Sequence, residues 1–167
     1  MTRENTDFEQ RARALKQRHL LQGEKRPVTT ARGVHHLALI CSDADRTIAF
    51  YQDLLGWPLV ELIENRDYAG SAHFFLDIGN DNLLAFFDFP GLDLPVWQET
   101  LGSMQHVAVS VTPEAFDRIR GRLDDAGIEY FGGTDDIPMS LYFPGPDGER
   151  IEVLSEPLRE VNGRPVG

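Results

Sequence analysis

Cysteine is nearly absent from this chain of 167 residues, which holds one, Cys41. That excludes an intramolecular disulfide framework and any zinc cluster built on thiolates, and it fits a reducing compartment. Basic residues are scarce as well, 16 Lys and Arg against 27 Asp and Glu, for a net charge of −11. A surface of that sign repels phosphate backbones and anionic headgroups, so nucleic acid and membrane are not expected partners. No run approaches the roughly 20 consecutive apolar residues that span a bilayer. The N-terminus also lacks the apolar stretch of a secretory signal, and the expectation is a cytoplasmic protein. What is present is a 41% hydrophobic content, enough for one well-filled core in a chain of this length.

Asn5, Thr6 or Asp7 stands where it can cap an N-terminal helix, whose Phe8, Ala12, Leu15 and His19 recur at helical spacing. The narrow apolar stripe suits docking, and a homodimer is expected. Gly23 to Gly33 mixes Gly, Pro, Thr and basic residues without periodicity and reads as a linker. The predicted division is a helix with its linker over 1–32, one domain over 33–157, and a loosely held tail over 158–167.

Within the domain the sequence repeats itself. Gly33-Val-His-His-Leu-Ala-Leu-Ile-Cys41 returns in type as Met104-Gln-His-Val-Ala-Val-Ser-Val111. Each run reads as a short strand with a histidine near its start, followed by a helical pattern. In the first copy that pattern covers Asp45 to Leu55, with Ile48, Tyr51 and Leu55 on one face. In the second it covers Pro113 to Ala126, with Phe116, Ile119 and Leu123 on one face. Gly56 and Gly127 end the helices. The segment His73–Ala85 then aligns without a gap on Ser140–Glu152, each a hairpin with a polar turn. The fold class is α+β: two β-α-β-β-β modules, 33–90 and 103–157 joined by a crossover over 91–102, pairing curved mixed sheets around an internal cleft.

His36 and His106 occupy equivalent positions on the first strands, so pseudo-twofold symmetry would bring them onto facing inner surfaces. Glu152 lies on the last strand between the apolar Ile151 and Val153, and an inward carboxylate there needs a cation. Two imidazoles and a carboxylate leave positions open on the ion, which suits Fe(II), with Mn(II), Ni(II), Co(II) and Zn(II) as alternatives. An open site is catalytic in character.

These residues resemble the vicinal oxygen chelate superfamily, which comprises glyoxalase I, bleomycin-resistance proteins, fosfomycin-resistance enzymes, methylmalonyl-CoA epimerases and extradiol ring-cleaving dioxygenases. The resemblance covers about residues 34 to 156. It is carried by His36-Leu-Ala-Leu, by Asp45 through Phe50-Tyr51-Gln-Asp-Leu-Leu-Gly56-Trp, by His106-Val-Ala-Val, and by Tyr142-Phe-Pro-Gly-Pro-Asp-Gly-Glu-Arg-Ile-Glu152. It implies the glyoxalase/dioxygenase fold, a divalent ion on His36, His106 and Glu152, and a small substrate that chelates it through neighbouring oxygens. The fourth ligand of glyoxalase I and the epimerases falls here on Ala85, which cannot ligate, and a three-ligand site as in the dioxygenases and fosfomycin enzymes remains. The threonine that fosfomycin enzymes place two residues after the first ligand is replaced by Ala38.

Tyr142 matches the tyrosine that dioxygenases carry ten residues before the metal glutamate, where a phenol can hydrogen-bond a bound oxygen. Their acid/base histidine falls on Asn82, a candidate substrate contact, and His73, one strand away, is the candidate replacement. Phe75, which aligns with Tyr142, and Phe87 are candidates for an apolar substrate wall. His35, next to a proposed ligand, alternates to the opposite face of the strand. The reading implied is a metal-dependent, extradiol-dioxygenase-like oxidoreductase. A glyoxalase-type lyase or isomerase, and a bleomycin-resistance-type binding protein, are the alternatives.

Overall fold

The computed structural model describes residues 3–21, 25–155, 160–161 and 164–165. It separates into a unit over Met1–Gly33 and a unit over Val34–Gly167. The first unit holds helix α1, Arg3–His19, with Phe8 and Leu15 of its stripe exposed. The helix begins upstream of Asn5, Thr6 and Asp7, so none of the three stands at its cap. Part of the predicted linker, residues 22–24, and most of the predicted tail lie outside the described residues. No helix among the described residues is long and apolar enough to cross a membrane.

The second unit runs β1 (His36–Cys41), α2 (Ala44–Ala49), β2 (Leu59–Glu64), β3 (Ala72–Asp77), β4 (Leu83–Asp88), β5 (Val107–Ser110), α3 (Pro113–Ala126), β6 (Phe131–Thr134), β7 (Ile137–Pro144), β8 (Arg150–Leu154) and a small hairpin, β9 (Glu160–Val161) with β10 (Arg164–Pro165). β1 to β4 form one sheet in the order β1-β4-β3-β2, and β5 to β8 form another in the order β5-β8-β7-β6. In both, the first strand pairs parallel with the last strand and the rest is antiparallel. The repeat expected from the sequence is therefore a repeat of topology, two mixed four-stranded sheets each crossed by one helical segment.

Alternation along the strands decides which face is buried. Phe74, Leu76, Leu84 and Phe86 of the first sheet, and Val109, Leu141, Phe143, Ile151 and Val153 of the second, enter one core with the helix residues Tyr51, Leu55, Phe116, Ile119 and Leu123. The two modules thus share a core on their helix-bearing faces, and the opposite faces stay out of it. Arg122 of α3 donates to the carbonyls of Asp53 and Leu54 at 3.2 and 2.9 Å, tying α3 to the end of the other helix.

The helix predicted over Asp45–Leu55 differs in detail. α2 runs for six residues from its Asp43 cap, and the chain continues as a π-helix, Phe50–Leu55. The wider turn changes the buried stripe to Thr47, Tyr51 and Leu55, and leaves Ile48 half-buried. In module two, α3 buries Phe116, Ile119 and Leu123 as expected, and both helices end on left-handed glycines, Gly56 and Gly127.

Candidate metal and substrate site

The hairpin register puts Tyr142 opposite Glu152 on the second sheet and Phe75 opposite Ala85 on the first. These equivalent pairs lie on the faces away from the core. On the second sheet the face is polar. His106, just ahead of β5, brings Nε2 to 3.1 Å from Glu152 Oε2. Glu152 is only 8% exposed, so its carboxylate is largely out of water and depends on the groups beside it. His106 Nδ1 is engaged by the side chain of Gln105, which fixes the ring from behind. The Tyr142 ring meets the His106 ring edge-on, at 5.8 Å between centroids. Its hydroxyl is pushed above the ordinary phenol pKa, first by hydrogen bonding to the Glu152 carboxylate and then by burial. Tyr142 therefore remains an O–H donor at neutral pH.

On the first sheet the corresponding face is aromatic. His73 stacks on Phe87 at 3.8 Å and lies 4.2 Å from Phe75, centroid to centroid. Its Nε2 is buried with no hydrogen-bond partner among the described residues. Burial, followed by the nearby His36, lowers its pKa and keeps the ring neutral. His36 is exposed and meets Phe75 edge-on at 5.9 Å. Its Nδ1 lies 2.9 Å from Nδ1 of His35. His35 does not turn to the opposite face as expected, because β1 begins only at His36 and strand alternation does not govern the residue before it. Asn82 faces its own turn: its side-chain amide donates to the carbonyls of Gly79 and Asn80 at 3.2 and 3.1 Å.

The structure therefore brings His106, Glu152 and Tyr142 together on one sheet, and His36, His73, Phe75 and Phe87 on the other. It does not bring His36 to His106 and Glu152. Among the described residues no three His, Cys, Asp or Glu side chains of one chain form a metal-holding group. The two modules meet through their helix-bearing faces, and among the described residues His36 shares no metal-holding group with His106 and Glu152. The donors that do converge, an imidazole nitrogen and a shielded carboxylate, fit part of a divalent-ion site.

The residues that join the modules were not singled out by sequence reasoning. Asp147, in the turn before β8, accepts from the Ser42 backbone N–H at 2.9 Å, the Ser42 hydroxyl at 2.6 Å and the Arg46 guanidinium at 2.8 Å. Glu149, 4% exposed, accepts from the Tyr51 hydroxyl at 2.7 Å and the Asp147 N–H at 2.9 Å. Burial raises its pKa, against the lowering effect of those bonds. Turn-forming Asp and Glu look alike in a sequence, so the one available signal was their position in a hairpin that already held Glu152. Cys41 is buried and its thiol is pushed up to about 11, which leaves it inert at neutral pH.

The family model described as Glyoxalase/Bleomycin resistance protein/Dioxygenase superfamily matches residues 33–153. The chain belongs to this superfamily. Among its relatives, YwkD of Bacillus subtilis, an uncharacterized protein, is 25% identical over 126 residues, 66% of this chain and 96% of that one. The "Putative ring-cleaving dioxygenase MhqE" of B. subtilis is 28% identical over 128 residues, 65% of this chain. The match spans only 40% of MhqE. The metallothiol transferase FosB of Lysinibacillus sphaericus is 24% identical over 142 residues, 78% of this chain and 87% of that one.

Solved structures in the superfamily share the fold. The fosfomycin resistance protein FosX from Listeria monocytogenes, solved with Mn(II) and sulfate, aligns with a TM-score of 0.59 at 21% identity, covering 78% of this chain and 98% of that one. A glyoxylase/bleomycin resistance protein/dioxygenase domain from Frankia sp. aligns with a TM-score of 0.62 at 24% identity, covering 75% and 98%.

Proposed function

We propose that the chain is one subunit of a divalent-metal-dependent oxidoreductase of the ring-cleaving dioxygenase kind. Its substrate is a small molecule with two neighbouring oxygens, and its metal centre is completed between two copies. The observation that carries the reading is the 3.1 Å approach of His106 Nε2 to Glu152 Oε2 on a face where, among the described residues, no third His, Cys, Asp or Glu joins them. The third donor is assigned to His36 of the partner subunit, since His36 is exposed at the equivalent strand position and a twofold dimer presents every such surface twice. Fe(II) is the favoured ion, and Mn(II), Ni(II), Co(II) and Zn(II) suit the same donors. The chemistry supplied by the bound ion is bidentate capture of the substrate oxygens and electron transfer between substrate and O2.

The chain's own residues have separable tasks. Tyr142, held protonated beside Glu152, offers its O–H to a substrate oxygen. His73, held neutral, accepts a proton from a substrate hydroxyl. Phe75 and Phe87, with the small Ala85 opposite Phe75, form an apolar wall that excludes water. An aromatic substrate fits these faces better than a phosphonate, because β1 to β8 carry a single Lys or Arg. The similarity to MhqE supports the same choice.

Mixing two variants tests the reading. His36→Ala and Glu152→Ala should each lose bound iron and catechol-dependent oxygen uptake when purified alone. Refolded together at equal amounts, random pairing in a twofold dimer restores one intact site in each mixed dimer, or about a quarter of the native sites. A mixture as empty as its components would show that one chain builds the whole site or that no site exists.

A further inference from the structure

One cation stands in the two sheets. Of all residues in β1 to β8, Arg150 is the sole Lys or Arg, in a chain otherwise dominated by acidic side chains. It opens β8 two residues before Glu152 and so shares the face of that carboxylate. It lines a cavity of about 580 Å3 together with Trp97, Phe131, Tyr142 and Pro144. Its guanidinium lies over the Trp97 ring, 5.7 Å from the centroid. Among the described residues its one acceptor is Glu99, at 3.4 Å, on a pair whose side chains are both more than a third exposed. A single long contact at the surface contributes little, and most of the five guanidinium N–H donors are left for another acceptor.

The walls of this cavity are set for a flat ring. Phe131, 64% exposed, is tilted against Tyr142 at 6.3 Å between centroids. Trp97 is fixed from both ends, its indole N–H donating to the Met104 carbonyl at 3.1 Å and its backbone N–H to the Asp147 carbonyl at 3.0 Å. Two residues of strand separate Arg150 from Glu152, about 7 Å, roughly the reach of one ring with its substituents.

Building on the metal-site reading, we propose that the substrate is an aromatic acid. Its adjacent hydroxyls lie toward Glu152 and Tyr142, its ring lies among Phe131, Tyr142 and Trp97, and its carboxylate, across the ring from the hydroxyls, is taken by Arg150. Arg150 is then a specificity-determining residue, and Glu99 is the carboxylate that the substrate displaces. Planar, paired donors are what a guanidinium offers a carboxylate.

The test compares 3,4-dihydroxybenzoate with its uncharged isostere 3,4-dihydroxybenzamide, titrated anaerobically by calorimetry into the full chain, metal-free and loaded with Mn(II). The acid should bind at least about tenfold more tightly than the amide, the low end for hydrogen bonds to a charged group. Arg150→Gln should erase that preference and leave amide affinity in place, Arg150→Lys should recover part of it, and Glu99→Gln should widen it. Equal affinity for acid and amide in the native chain, a preference surviving in Arg150→Gln, or no binding of either probe would overturn the proposal. The metal reading fails separately. A preference that persists while Mn(II) changes nothing leaves the Arg150 anchor standing and removes the metal, whereas Mn(II)-dependent binding without the preference does the reverse.

Discussion

The two hairpins that end the modules have the same register and opposite contents. Phe75 faces Ala85 in the first, and Tyr142 faces Glu152 in the second. One copy presents rings and a histidine whose Nε2 has no hydrogen-bond partner among the described residues; the other presents a carboxylate, an imidazole and a phenol in mutual contact. The backbone repeat sets where side chains point, and the side chains divide the work. A second division runs through each strand. Phe74 and Phe86, Leu141 and Val153 are fully or almost fully buried against the helices, while their neighbours Phe75, Phe87, Tyr142 and Glu152 face the candidate site. Stability and the proposed recognition are therefore assigned to alternate residues of the same strands.

Breaking that alternation at adjacent residues gives the largest expected effect. Phe74→Ala empties a position with no exposure and should cost about 3–5 kcal/mol in urea unfolding. Phe75→Ala, half-buried on the other face, should cost no more than about 1.5 kcal/mol while weakening binding of a ring compound. Equal losses at both positions would mean that the two faces are not distinct in energy.

The modules also differ where their edge strands bulge. In β2 the register shifts between Leu59 and Glu61, and in β6 between Gly132 and Thr134. The first bulge includes Val60, about half exposed, whose replacement by Ala should change stability by less than about 0.5 kcal/mol. The second requires glycine. Gly132 has φ +105°, and a Cβ there would stand 2.0 Å from the Ser140 carbonyl oxygen. Gly132→Ala should cost at least about 2 kcal/mol by thermal unfolding, since neither the strain nor the clash with backbone can be relieved by a rotamer change.

Much of this architecture was legible in the sequence because it rests on local rules. Period-two and helical patterns gave the two modules, the glycines gave both helix ends, and the gapless match of the hairpins gave a register that the structure shares. The π-helix was not legible, since Phe50–Leu55 satisfies a helical pattern whichever turn it adopts. Nor was the way the modules meet. Symmetry within the chain suggested that His36 would face His106, but which faces pair depends on long-range contacts such as those of Tyr51 with Glu149 and Asp147 with Ser42. A pattern read one strand at a time does not contain those contacts.

The junction between the modules has its own pH signature. Glu149 has its native pKa raised by burial, above an unfolded value of about 4.3. A carboxyl shifted in that direction favours the folded state while it is protonated. Its contribution is fully present below the unfolded pKa and is lost as pH rises through the native one. Between pH 4 and pH 7 the native chain should therefore lose melting temperature relative to Glu149→Gln, which carries no charge to bury. A gap independent of pH would show that the carboxylate is as well solvated in the fold as in the unfolded chain.

A modest effect belongs to the position where sequence and structure give different roles. Asn82 aligns with an acid/base histidine in the resemblance, yet its amide is spent on the Gly79 and Asn80 carbonyls. The turn it closes holds Asn80 and Asp81 at positive φ, 53° and 59°, a conformation that non-glycine residues keep only when local bonds support it. Asn82→Ala removes those bonds from a solvent-facing turn and should cost about 0.5–1.5 kcal/mol, with affinity for a dihydroxybenzoate probe unchanged. If affinity falls while stability holds, Asn82 turns toward substrate when substrate is present. The apolar face of module one would then carry a polar contact after all, and the contrast between the two hairpins would be one of degree.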